Sequence, residues 1–198
     1  MSEPIVYPHS RRLVQIIRQH LWDGLCDSPI RGAEVGVYKG ETSAYLLREL
    51  PGLQLYLIDC WDPGPFKLSR NQFSAMAAQQ NRPEVFRQWE REARLNTAWA
   101  GDRATIIKAD FRQAASALVH NTLDFVFLDA AHSYQDTMDQ ILLYAPRVRS
   151  GGLVTGHDYG YPRPGYEAVA QAVDRIAGFL RVDLQVDRAS YVWHWVVP

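Results

Sequence analysis

Short apolar runs alternate with stretches of helical periodicity along most of the chain. Leu13, Ile17 and Leu21, joined by Val14 and Ile16, fall on one face of an amphipathic helix, with Ser10 placed as its N-cap. The run from Ile30 to Val37 predicts a first strand, followed by a glycine turn and a helix from about Glu41 to Leu50. LQLYLID predicts a second strand ending at Asp59. Residues 84–98 carry a helical stripe of Val85, Phe86, Trp89 and Ala93, with Pro83 in the first turn, where its missing N–H is harmless. ATIIKAD predicts a third strand, a short helix through Ala114 to Val119 follows, and LDFVFLD predicts a fourth strand. Ser133 is placed to cap the next helix, with Asp136 in its first turn and a stripe through Tyr134, Met138, Ile141, Leu142, Ala145 and Val148. GGLVTGHD predicts a fifth strand, and Tyr166, Val169, Ala170, Val173 and Ile176 a further helix. The closing runs LRVDLQV and SYVWHWVV are near enough to pair antiparallel.

Unbroken apolar strands alternating with helices predict an α/β fold, a mostly parallel sheet with helices on both faces. Such sheets bind ligands outside the carboxyl ends of their strands. Here the five strands end in the EVGVYKG turn, Asp59, Asp110, Asp129 and the pair His157–Asp158. One polar residue at a strand end is ordinary surface. Five delivered to one edge predict a site.

Composition narrows the class without naming the chemistry. The length of 198 residues predicts one domain, 1–198, and 47% hydrophobic with 22% charged residues is ordinary for a soluble globular protein. A net charge of −1 supplies no basic field for nucleic acid or anionic lipid, so neither is an expected partner. No apolar run approaches the roughly 20 residues of a membrane helix, and MSEPIVYPHSRR lacks a signal peptide's apolar core, so a cytoplasmic location is expected. Cys26 and Cys60 form no disulfide framework or zinc spacing. Trp193 and Trp195 are expected to pack the core or a homodimer interface, and Arg11–Arg12 and Arg147–Arg149 to be solvated.

The segment GAEVGVYKGETS is a strand, a glycine turn and a helix start. Gly36 would let backbone approach a ligand, and Gly40 would permit the tight helix entry. The free N–H groups of the helix start, with Thr42 and Ser43, suit an anion. The spacing is E-x-G-x-x-x-G rather than the dinucleotide-binding G-x-G-x-x-G. Glu34 lies within the strand end, where a buried carboxylate needs a cation or N–H partner. A ligand with an amine, a carboxylate and a ribose would use this turn well. Asp59 would accept hydrogen bonds from two ribose hydroxyls, and Asp110 with Phe111 would meet an adenine.

Together, EVGVYKG, Asp59, GDRATIIKAD, DFVFLDAAHSY and RSGGLVTGHDY resemble class I S-adenosylmethionine-dependent methyltransferases over about residues 33 to 158. Within that class they look most like the small-molecule O-methyltransferases, of the catechol type and the macrolide-sugar group. The resemblance implies a Rossmann-like three-layer sandwich with a seven-stranded sheet, the last strand antiparallel. It implies that Glu34, Gly36, Tyr38, Gly40 and Thr42 line the methionine end of S-adenosylmethionine, with Asp59 at the ribose and Asp110 and Phe111 at the adenine. A small-molecule hydroxyl would be the acceptor. In metal-dependent relatives the matching positions make Asp129 and Asp158 divalent-metal ligands and place His132 at the general base; the unperturbed imidazole pKa of about 6.5 would leave it mostly neutral. His157 stands where the family's metal site has a carboxylate. Three readings stay open: His157 points away and leaves Mg²⁺ to the aspartates, or it ligates a softer metal, or no metal is used and His132 or His157 deprotonates the acceptor alone.

Residues 61–83 form an insertion expected to act as a lid, and YGYPRPGY after the fifth strand is expected to wall the acceptor. A catalytically inactive methyltransferase-like domain, a nicotinamide-dependent oxidoreductase, a nucleic-acid methyltransferase and a non-haem iron site are the competing classes.

Overall fold

In the computed structural model, which describes residues 6–21, 29–62 and 82–198, the strands are β1 (Ile30–Val35), β2 (Leu53–Asp59), β3 (Ala104–Lys108), β4 (Leu123–Leu128), β5 (Val148–Gly156), β6 (Gln185–Asp187) and β7 (Val192–Val196). The helices are α1 (Pro8–Leu21), α2 (Glu41–Glu49), α3 (Pro83–Thr97), α4 (Phe111–Ala115), α5 (Tyr134–Tyr144) and α6 (Glu167–Leu180), with 3₁₀ turns at Ala98–Arg103 and Ala145–Arg147. All seven strands join one sheet in the order β3-β2-β1-β4-β5-β7-β6. β1 to β5 pair in parallel, and β7 runs antiparallel to both β5 and β6. The mostly parallel sheet is the one the strand–helix alternation predicts, and its seven strands with the antiparallel β7 are those the resemblance implies.

Both faces are buried because side chains alternate along each strand. Leu53, Leu55 and Leu57 of β2 and Phe125 and Phe127 of β4 join α1 and α2 in one apolar cluster. Val126 and Leu128, with Ala33 and Val35 of β1, join α4, α5, α6 and the two β7 tryptophans in the other. Trp193 and Trp195, only 1% and 2% exposed, are therefore core residues. Glu34, between Ala33 and Val35, is turned to the α2 side, where Ser43 meets it.

Several local expectations change. α1 starts at Pro8, so Ser10 lies inside the helix, buried, and shares a hydrogen bond of 2.9 Å with Thr42 instead of capping. β1 stops at Val35 because Gly36 turns the chain with φ 97°. β3 ends at Lys108, and α4 covers Phe111–Ala115, earlier than the apolar pattern indicates, because Asp110 caps it by accepting from Arg112 N at 2.9 Å. Ser133 does cap α5, accepting from Asp136 N at 3.1 Å. Arg147 is buried rather than solvated: its guanidinium donates to the carbonyls of Ala115 and Leu143 and fastens α4 to the end of α5. Arg149 is exposed and pairs with Asp124 at 2.7 Å. Residues 63–81, most of the expected lid, lie outside the described residues.

Chain direction across the sheet reverses between β1 and β4, the switch point where α/β sheets open a crevice. Ladder hydrogen bonds continue past the strand ends there. Gly36 N donates to Ile58 O at 2.9 Å, Asp129 N to Val35 O at 2.8 Å and His157 N to Leu128 O at 3.1 Å. Residues far apart in sequence thereby arrive side by side at one edge.

Candidate active site

A cavity of about 550 Å³ opens at this edge, within the range of about 300–1,000 Å³ common for small-molecule sites. Glu34, Gly36, Tyr38, Thr42, Asp59, Asp110, Phe111, Asp129 and His132 all line it, which brings most of the sequence-predicted site residues together. Gly40, His157 and Asp158 are not among its lining residues.

The glycines carry packing roles beside their expected ones. Gly36 lines the cavity, and a Cβ there would lie 2.2 Å from the Asp129 carbonyl oxygen, so it also admits the β4 backbone. Gly40 makes the tight entry to α2 at φ 75°, and a Cβ there would lie 2.9 Å from Ala93 Cα, so it also seats α2 against α3. Thr42 is also committed, since its hydroxyl shares hydrogen bonds with His9 Nε2 at 3.0 Å and Ser10 at 2.9 Å.

Asp59 organises the turn before any ligand arrives. Its Oδ2 accepts from Val37 N and Tyr38 N, both at 2.9 Å, and its Oδ1 from Trp61 N at 2.8 Å. An oxygen has two lone pairs, so Oδ2 is full and Oδ1 has room for one ribose hydroxyl rather than two. Burial raises the Asp59 pKa, and the backbone N–H groups oppose that shift. Tyr38 and Trp61 are held at φ 53° and 41°, a conformation L-residues avoid. The Trp61 indole donates to Tyr38 O at 2.7 Å, and the Tyr38 ring meets Trp89 edge-on at 4.6 Å.

Glu34 is 2% exposed and accepts from the Ser43 hydroxyl. Burial pushes its carboxyl up to about 8; the Ser43 bond opposes this, while Asp129 and Asp59 add to it. The expected need for a partner is thus met partly by a hydroxyl and otherwise by protonation.

At the other end, Asp129 and Asp158 face two imidazoles. His132 Nε2 lies 2.7 Å from Asp158 Oδ2 and 3.6 Å from Asp129 Oδ1. His157 Nδ1 lies 3.2 Å from Asp158 Oδ1 and 3.6 Å from Asp129 Oδ1. Burial favours neutral His132, but the close carboxylates of Asp129 and Asp158 outweigh it and lift the ring to about 9. The expectation that His132 rests neutral therefore fails in the ligand-free protein. Burial would raise Asp129, yet His157 and His132 hold it well below the usual carboxylate range. Asp158 sits at φ 62°, a conformation that aspartate tolerates better than most residues.

Donor atoms of Asp129, His132 and Asp158 all lie within 4.8 Å of one another, and His157 Nδ1 stands beside the same two carboxylates. Despite its short approach to Asp158, the buried His132 Nε2 has no aligned hydrogen-bond partner. Two carboxylates and an inadequately satisfied imidazole nitrogen fit a divalent cation. The His157 ring also packs 4.3 Å from His9, while its carbonyl accepts from the Trp193 indole at 3.1 Å.

Sequence reasoning missed Tyr7 and His9, which line the cavity from the start of α1, and Phe86 and Trp89 of α3; Trp61 and Asp62, at the start of the expected lid, line it too. Tyr7 donates to Glu41 at 2.9 Å, which brings α1 onto the start of α2. Their only local signal is a polar, aromatic segment just before an apolar stripe. Among the described residues no helix is long and apolar enough to cross a membrane.

Comparisons with known proteins agree with this geometry. No curated protein matches the sequence. Similar solved structures include one assigned as a caffeoyl-CoA O-methyltransferase from Staphylococcus aureus, at 14% identity and a TM-score of 0.68, covering 98% of this chain and 86% of that one. The O-methyltransferase NovP matches at 21% identity and a TM-score of 0.66, covering 94% of this chain and 79% of its own. TomG from Streptomyces achromogenes, an O-methyltransferase of tomaymycin synthesis solved with S-adenosylmethionine, matches at 17% identity and a TM-score of 0.60, covering 100% and 84%. At these identities the likeness is one of fold. A family model described as a methyltransferase domain matches residues 33–159, which span β1 to the end of β5 and hold the turn, Asp59, Asp110, Asp129, His132 and Asp158. The chain belongs to that methyltransferase family.

Proposed function

We propose that this protein transfers the methyl group of S-adenosylmethionine to a hydroxyl oxygen of a small molecule. The observation that carries the reading is one cavity with two chemically distinct ends: Glu34, Asp59 and the start of α2 at one, and Asp129 and His132 at the other, with Asp158 buried against His132. The first end suits a methionine amine and a ribose; Phe86, Trp89 and Phe111 add apolar and aromatic wall beside it. The second suits removal of a proton from an acceptor hydroxyl, with the His132 imidazole as the base. A divalent cation held by Asp129 and Asp158, within reach of His132, would supply Lewis acidity to the acceptor oxygen and offset the carboxylates that keep His132 protonated. His157 and His9 pack behind the carboxylates and hold Asp129 in place, a supporting role.

S-Adenosylhomocysteine should raise the melting temperature while NAD should not. Radiolabelled methyl from S-adenosylmethionine should appear on members of a hydroxylated acceptor set, and exhaustive chelation should lower turnover without changing S-adenosylhomocysteine affinity. Stabilisation by NAD alone would defeat the reading.

Glu34 supplies a pH signature. Its carboxyl, at about 8 in the free protein, is mostly protonated at neutral pH. An arriving ammonium favours the carboxylate, so the complex holds one proton fewer. Affinity for S-adenosylhomocysteine should therefore strengthen as pH rises from the bound-state pKa to about 8 and level off above it. Calorimetry in buffers of different ionisation enthalpy should show proton release near pH 7 that Glu34→Gln abolishes; a flat profile with no release would remove Glu34 from the amine site.

A further inference from the structure

The match to the methyltransferase family ends at residue 159, but the cavity wall does not. It continues through Arg163, Pro164, Gly165 and Tyr166, on the loop between β5 and α6. Walls outside the shared region are where selectivity for an acceptor has room to differ.

This loop is held in shape. Tyr161 N donates to Asp158 O at 3.2 Å, Arg163 N to Tyr161 O at 2.8 Å, and Tyr166 N to Arg163 O at 3.1 Å. Pro162 and Pro164 restrict φ on either side of Arg163. The Tyr166 ring stacks on His132 with centroids 4.7 Å apart, and Tyr161 lies 5.4 Å from Tyr166. The Arg163 guanidinium rests over the Tyr161 ring at 5.2 Å. The loop therefore presents one aromatic wall that runs from the proposed proton acceptor to a cation.

Charge accounting along the cavity picks out that cation. Glu34, Glu41 and Asp59 accept hydrogen bonds from Ser43, Tyr7 and backbone N–H groups. Asp110 caps α4, Asp136 pairs with Arg112, Asp129 lies between His132 and His157, and Asp62 is engaged as well. Arg163 is the arginine or lysine lining the cavity among the described residues, and no described carboxylate pairs with it. A guanidinium presents a planar fork of donors that matches carboxylate or phosphate oxygens.

The geometry points to an anionic acceptor: its hydroxyl-bearing ring lies along Tyr166 toward His132, and a carboxylate or phosphate on it meets Arg163. This assignment rests on the O-methyltransferase reading. Arg163 then sets which acceptors bind, while His132 acts on the hydroxyl.

Two acceptor pairs separate the sources of negative charge: catechol against 3,4-dihydroxybenzoate, and glucose against glucose 6-phosphate. Methyl transfer to each is measured with wild type and Arg163→Gln, and binding of each to the S-adenosylhomocysteine complex by calorimetry. In wild type the anionic member of one pair should be preferred about tenfold or more, through KM in turnover and Kd in binding. Arg163→Gln should bring that ratio close to one, and the pair that responds identifies carboxylate or phosphate. Equal use and equal binding within both pairs, a preference that survives Arg163→Gln, or no binding by either anion overturns the proposal. A protein that S-adenosylhomocysteine fails to stabilise overturns the methyltransferase reading itself, and this inference with it.

Discussion

His132→Ala should slow methyl transfer by about 10²–10⁴-fold, the range for losing a positioned proton acceptor. The ring lies where an imidazole nitrogen, two carboxylates and an aromatic wall converge. Its Nε2 is buried, close to both aspartates, and not satisfied by an aligned hydrogen bond, so its position serves the acceptor end more than the fold. The cofactor end is built from other elements, β1, β2 and the start of α2, and should be untouched. The loss should therefore appear in kcat, with S-adenosylhomocysteine affinity within about twofold of wild type, a difference of about 0.4 kcal/mol. A drop smaller than about tenfold would remove His132 from the chemistry, whatever its place in the cluster.

Gly36→Ala should have the largest effect on stability. The residue stands at φ 97°, where an L side chain is strained, and the added Cβ would lie 2.2 Å, 2.5 Å and 2.7 Å from Asp129 O, Asp129 C and Ala130 Cα. All three are backbone atoms, so no rotamer change relieves the overlap. Left-handed strain of about 1–2 kcal/mol and overpacking of about 1–3 kcal/mol together give about 2–5 kcal/mol. For a chain of this size that is a fall in melting temperature of about 5–20 °C. Whatever variant folds must separate the β1 turn from the end of β4, so S-adenosylhomocysteine binding should weaken as well. Gly52→Ala, where nothing lies within 4 Å of the new Cβ, is the matched control and should change little. A Gly36→Ala protein that melts within about 2 °C of wild type would show that β1 and β4 are less tightly apposed than described.

Legibility followed physical range. The alternation of apolar strands and amphipathic helices carried the fold, because period-two and period-3.6 burial are local consequences of backbone geometry. Ser133 and Asp136 were readable for the same reason, since a cap involves neighbours three residues apart. Ser10 misled because a serine before an apolar stripe matches the local signal of a cap, while its hydroxyl actually meets Thr42, 32 residues away. Arg147 misled in the same way: nothing nearby in sequence announces that the Ala115 carbonyl needs its guanidinium.

At the site, residue types and the edge they occupy were determined by the sequence alone. Strand lengths and the parallel order send Glu34, Asp59, Asp110, Asp129 and Asp158 to one side of the sheet. Only the tertiary structure decided what each is free to do there. It spends Oδ2 of Asp59 on two backbone N–H groups, lifts Glu34 to about 8 by burial, and sets both His132 and His157 against the two aspartates. It also adds Tyr7 and His9 from outside the family's shared region. Desolvation, charge and hydrogen-bond occupancy depend on distances between residues remote in sequence, and packing sets those distances.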